Sequence, residues 1–163
     1  MTKTLREQLM GAWTLVSYVE KPVDGSDPAY PMGERLEGFI IYSPDGYMSV
    51  QLMRPDRSKF SSGDWSVGTE SEIREAAIGY FAYAGPFDID EEKKILTHAV
   101  VLSLDPNWLG QAQRRVVKIE GDILHLSTEK PLESEGKETM YHLTWKRAEP
   151  LLEGHGSHAM TVR

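Results

Sequence analysis

The chain has 163 residues, room for one domain and little for a second. Forty per cent of them are apolar. A chain of this size buries roughly two-thirds of the surface it exposes unfolded, enough for a core without staples. There is no cysteine, which excludes disulfides, thiolate metal sites, iron–sulfur clusters and a thiol nucleophile. Eighteen basic against 25 acidic residues leave a net charge of −7, which disfavours attraction to phosphate backbones. Glu7 interrupts the apolar run a signal peptide needs, and no stretch approaches the ~18 apolar residues that span a bilayer. The expectation is a cytoplasmic protein with a small-molecule ligand, no nucleic-acid or membrane partner, no cofactor and no metal. A homo-oligomer is compatible with the sequence.

Thr4-Leu5-Arg6-Glu7 has the spacing of a capping box, so a short helix opens the chain, with Leu5 and Leu9 on one face and Gly11 ending it. From Ala12 the period is two, Trp13, Leu15, Ser17 and Val19 facing one way and Thr14, Val16 and Tyr18 the other. Three prolines and two glycines over 20–36 predict a long loop. Phe39–Tyr42 and Tyr47–Met53 flank Ser43-Pro44-Asp45-Gly46, a hairpin with turn chemistry at its tip. Arg54 to Gly68 reads as a second loop. Thr69-Glu70-Ser71-Glu72 repeats the capping box, and Ile73, Ala76, Ala77, Tyr80, Phe81 and Ala84 follow at helical spacing, predicting a helix near 70–81.

Strand follows strand thereafter: Phe87–Ile89, Ile95–Leu104, Gln111–Ile119, Ile123–Ser127 and Glu138–Arg147, joined by Asp90–Lys94, Asp105–Gly110, Glu120-Gly121-Asp122 and a charged loop. The fold class expected is mainly β: a single up-and-down antiparallel barrel of about eight strands with two short helices, since closure removes exposed edges. A sandwich is the alternative. Such a barrel has an interior wide enough for one small ligand. The domain is drawn at 1–148, with 149–163 a C-terminal tail set aside from function.

Gly11-Ala12-Trp13-Thr14-Leu15 resembles the Gly-x-Trp opening of calycins and, more closely, the bacterial and fungal lipocalin-like domain family. The similarity continues through Gly38–Val50, Ala82–Phe87, His98–Ser103, Pro106-Asn107-Trp108-Leu109-Gly110, Gln113-Arg114-Arg115, Gly121–Leu124 and Leu143–Arg147. It implies a small-ligand barrel in which Gly11 and Trp13 close the wall, with His98 and Arg115 on the family's polar strand positions.

His98 alternates with Val100, Leu102 and Leu104, so that face is expected inside, where an imidazole contacts a ligand or moves a proton near neutral pH. A buried histidine satisfied by a neighbouring strand is the plainer reading. Arg115 shares parity with Gln113, Val117 and Ile119. Inside a barrel its guanidinium needs an anionic or carbonyl partner, either a ligand group or a protein acid such as Glu138. Tyr83, Tyr47, Gln51, Gln113 and Tyr141 complete the candidate ligand-binding set, each with a hydrogen-bonding tip. The parity of 47–53 is open, because Met48, Val50 and Leu52 alternate with Tyr47 and Gln51. Trp13, Trp108 and Trp145 read as packing, and Trp65 as a loop residue able to cover the mouth.

Sharper motifs fail. No HExxH occurs, the acidic run at 88–92 lacks EF-hand spacing, Gly63–Gly68 is not a nucleophile elbow, and there is no Walker motif. The leading function is binding of a small, largely apolar molecule with a carbonyl or carboxylate. The rival is a cofactor-independent isomerase, cyclase or dehydratase acting on a small natural-product-like substrate, with His98, Arg115 and Tyr83 catalytic. A structural or partner-binding barrel without ligand is the third.

Overall fold

The computed structural model describes residues 2–150. In chain order the elements are α1 (Leu5–Leu9), β1 (Gly11–Pro22), β2 (Glu37–Tyr42), β3 (Tyr47–Met53), α2 (Glu70–Ile78), β4 (Tyr80–Asp90), β5 (Ile95–Ala99), β6 (Leu102–Ser103), a 3-10 turn (Pro106–Trp108), β7 (Ala112–Glu120), β8 (Ile123–Thr128), β9 (Leu132–Ser134) and β10 (Lys137–Arg147). Eight strands pair antiparallel in the order β1-β2-β3-β4-β5-β7-β8-β10, and β10 returns to β1, closing the barrel. The short β6 and β9 attach to β4 and β10. The 149–163 tail lies outside the described residues apart from its first two.

One end of the barrel is sealed. Both halves of the Thr4–Glu7 capping box form, and Glu91, from the β4–β5 turn, accepts from the Leu5 and Arg6 amides at 2.9 Å each. At the other end of α1, Arg147 donates to the Gln8 and Met10 carbonyls at 2.6 and 3.0 Å. Its guanidinium lies 4.0 Å from the centroid of the Trp13 ring, whose Nε1 donates to the Leu9 carbonyl at 2.8 Å. Leu5, Leu9, Trp13 and Trp145 are buried together. The helix is too short to persist alone, so these contacts, not propensity, hold it.

The chain departs from the sequence expectation at four places. The helix predicted over 70–81 ends at Ile78, and Tyr80, Phe81 and Ala84 belong to β4. Alternation of Phe81, Tyr83, Gly85 and Phe87 overlaps the helical spacing, and continuous pairing with β3 decides for strand. The strand expected over 95–104 ends at Ala99. Beyond Ala99 the chain leaves β7 but stays beside β4, where the Val101 amide donates to the Ala84 carbonyl, and Leu102 and Leu104 are turned outward. A Cβ on Gly85 would sit 1.8 Å from the Ala99 carbonyl oxygen, so this approach requires glycine. The supposed charged loop contains β9. Finally, the register of β1 on β10 shifts between Leu15 and Ser17. This bulge turns Ser17 and Val19 away and brings Tyr18 and Glu20 to the inner side, reversing the parity read from the sequence.

Arg147→Met is expected to keep the barrel topology but lose about 2–3 kcal/mol of unfolding free energy, since two charge-assisted bonds to helix carbonyls and a stacked cation disappear. Urea denaturation followed by tryptophan fluorescence measures this, and a loss below about 0.5 kcal/mol would show that α1 is held otherwise.

Candidate functional site

The interior beyond the sealed end encloses a cavity of about 250 Å³. Its walls are mostly apolar: Ile40, Val50, Leu52, Leu126 and Leu143 from alternate strand positions. An aromatic side is built from Phe81, Tyr83 and Trp108, with ring centroids 5.0–6.1 Å apart. Pro31 and Met32 from the β1–β2 loop, with Asp105 and Trp108 from the segment before β7, stand at the opposite end from α1 and form the mouth.

His98 is 1% exposed and held from both sides. Its Nδ1 lies 2.9 Å from the Tyr83 hydroxyl and its Nε2 3.0 Å from the Tyr42 hydroxyl. Burial, helped by the positive charge of Arg115, pushes its pKa down to about 3, so the ring is neutral at physiological pH. Burial also raises the Tyr83 and Tyr42 phenols above their ordinary value, so both are protonated.

Arg115 is 6% exposed and lines the cavity. It donates to the Arg114 carbonyl at 3.0 Å and to the Gln113 side-chain oxygen at 3.3 Å, two bonds for a group with five N–H donors. Among the described residues it makes no ion pair. Glu138, the acid suggested by the sequence, is exposed and pairs in the β9–β10 ladder. The buried acid is Glu20, brought inside by the β1 bulge. It accepts from Tyr18 and Ser134, both at 2.7 Å. Tyr18 and Tyr141, their rings edge to face at 6.0 Å, feel the fields of both Glu20 and Arg115. Trp145 also lines the cavity, and its Nε1–H is buried without a partner.

The structure therefore brings His98, Arg115, Tyr83 and Tyr141 to one cavity, with Gln113 behind Arg115. Tyr47 and Gln51 do not reach it. Met48, Val50 and Leu52 take the inward parity of β3, leaving Tyr47 on the outer wall and Gln51 bonded to Tyr80 there. Trp65 is 81% exposed and does not cover the mouth, whereas Trp108 is part of the wall rather than simple turn packing. Tyr18 and Glu20 were hidden by the bulge. Tyr42 carried a signal, because it alternates with Ile40 in β2, but its partner lies 56 residues away.

A sequence model of the lipocalin-like domain matches residues 10–148. The chain belongs to the lipocalin-like domain family. It is also similar to the 4'-hydroxy-3'-methoxypropiophenone carrier protein of Aspergillus oryzae, at 39% identity over 106 residues, covering 61% of this chain and 96% of that relative. In this lipocalin-like barrel no helix among the described residues is long and apolar enough to cross a membrane.

The neutral His98 links stability to acid. The unfolded chain takes up a proton below the ordinary histidine pKa of 6.5, while the folded one refuses it down to about 3. Stability is therefore expected to fall with pH below about 6.5, by up to about 1.4 kcal/mol per pH unit for this group. His142, depressed by partial burial and by Lys21, acts in the same direction. Unfolding of wild type and His98→Gln between pH 7 and 5 measures the difference. Parallel pH profiles would remove His98 as the source.

Proposed function

We propose that this lipocalin-like barrel binds and carries a small, largely apolar molecule with a carbonyl or carboxylate group in its central cavity. The observation that carries the reading is Arg115, a buried guanidinium facing an apolar cavity with no ion-pair partner among the described residues. Burying such a charge is unfavourable unless something meets it, and a ligand oxygen does so with the geometry a planar donor fork prefers. The cavity lies below the roughly 300–1,000 Å³ of pockets for drug-sized ligands, which favours a single-ring molecule. The aromatic side suits a ring. The ligand named for the Aspergillus oryzae carrier protein, an aryl ketone, is of the same chemical kind.

Binding is favoured over proton-transfer catalysis. Both nitrogens of His98 are occupied by phenols, and the ring is neutral and hard to protonate. A general base near neutral pH needs a reachable nitrogen and a matched pKa, and His98 offers neither.

Titration with 4'-hydroxy-3'-methoxypropiophenone is expected to change tryptophan fluorescence, because Trp108 and Trp145 line the cavity. Arg115→Met should weaken binding at least about tenfold, roughly 1.4 kcal/mol. Native mass spectrometry of the purified protein checks for a retained small molecule. Equal affinity in Arg115→Met, or binding of aryl ketones only outside the cavity, would overturn this reading.

A further inference from the structure

Tyr42, His98 and Tyr83 form a closed hydrogen-bond account whose direction is not arbitrary. A neutral imidazole has one N–H and one acceptor nitrogen, so one tyrosine donates to His98 and the other accepts from it. Whichever tyrosine accepts keeps its own hydroxyl proton, which needs another acceptor. Tyr42 is 1% exposed, does not line the cavity, packs edge-on against Phe87, and has His98 as its sole hydroxyl partner among the described residues. A proton left over there would be buried and unsatisfied. Tyr83 lines the cavity, where water or a ligand can receive one.

We infer that His98 is a positioning residue: Tyr42 donates to its Nε2, its Nδ1–H donates to the Tyr83 oxygen, and the Tyr83 O–H is thereby turned into the cavity as a fixed donor to a ligand oxygen. This rests on the carrier reading above and sharpens it. Tyr83 and the Arg115 guanidinium line the same cavity. The inner surface thus offers two donor groups there, while the carboxylate of Asp105 stands at the mouth. The ligand class selected is one whose buried part accepts hydrogen bonds without donating any, such as a ketone, in preference to an alcohol of the same shape. The arrangement also gives Tyr42, which touches no ligand, a say in affinity.

Two measurements test this. Long-range proton–nitrogen NMR of the ligand-free wild-type protein, with His98→Gln to assign the signals, reports the tautomer directly. A pyrrole-type Nδ1 and a pyridine-type Nε2 near neutral pH are expected, the reverse of the form favoured by free histidine. The opposite pattern, or a doubly protonated ring, overturns the inference whether or not any ligand binds. Propiophenone, 1-phenylpropan-1-ol and propylbenzene are then titrated against wild type, Tyr83→Phe and Tyr42→Phe. Both variants should lose about five- to tenfold in propiophenone affinity and change little towards propylbenzene. Wild type should prefer the ketone to the alcohol. A folded Tyr42→Phe that binds the ketone as tightly as wild type also overturns the inference. If the expected tautomer is found but none of the three compounds binds, the carrier reading fails while the orientation of the relay stands.

Discussion

The return of β10 onto β1 is the constraint on which everything inside this barrel depends. A sheet that closes on itself must give each strand one inward and one outward face, and the pairing from Trp13↔Arg147 to Pro22↔Thr139 is where that assignment is completed. The bulge between Leu15 and Ser17 lets one strand serve two ends with different parity. Before it, Trp13 and Leu15 point inward and pack the sealed end. After it, Tyr18 turns in to line the cavity, and Glu20 is buried behind it, accepting from Tyr18 and Ser134. Without the extra residue, Ser17 and Val19 would face the interior, and the buried acid would be on the surface.

The two ends are built from different physics. The sealed end is held by a short helix whose free amides and carbonyls are met by Glu91 and Arg147, above a floor of Trp13, Leu9 and Leu5. Its charged groups sit at backbone dipoles, Glu91 on the amides that open α1 and Arg147 on the carbonyls that end it. The open end is bordered by loops carrying Pro31, Met32 and Trp108. Helix α2 buries no residue, and its Ile73 and Ile78 stay exposed, so it plugs nothing.

Polar chemistry within the cavity is sparse and strongly coupled. Taking Arg115 out of water strengthens its field on every neighbouring group, and its influence reaches His98, Tyr18, Tyr42, Tyr83 and Tyr141. The phenols and the imidazole remain neutral, so they act through direction of hydrogen bonding, not through charge. A barrel that orients donors around one cation suits recognition, because each group is preorganised and none has to ionise.

Much of this was legible in the chain itself. Two capping boxes, the Ser43–Gly46 turn and alternating apolar runs determine both helix starts and most strands, because those signals are local backbone chemistry. The inward placement of His98 and Arg115 also follows from period-two patterning, whereas Tyr83 lies in a segment that reads at helical spacing. What the sequence could not decide depends on partners distant along the chain. Tyr80–Ala84 fits either a helix or a strand until β3 pairs with it, and Ile95–Leu104 reads as one strand until Ala99 meets Gly85. The parity of Tyr47 and Gln51 is settled only by which face of β3 the barrel encloses. The bulge at Val16 leaves no mark in composition, yet it moves Glu20 inside. Above all, the Tyr42–His98–Tyr83 chain joins residues 56 and 15 positions apart. Local sequence sets each residue's conformation and side of the strand. Closure of the sheet alone sets which side chains face one another across the interior.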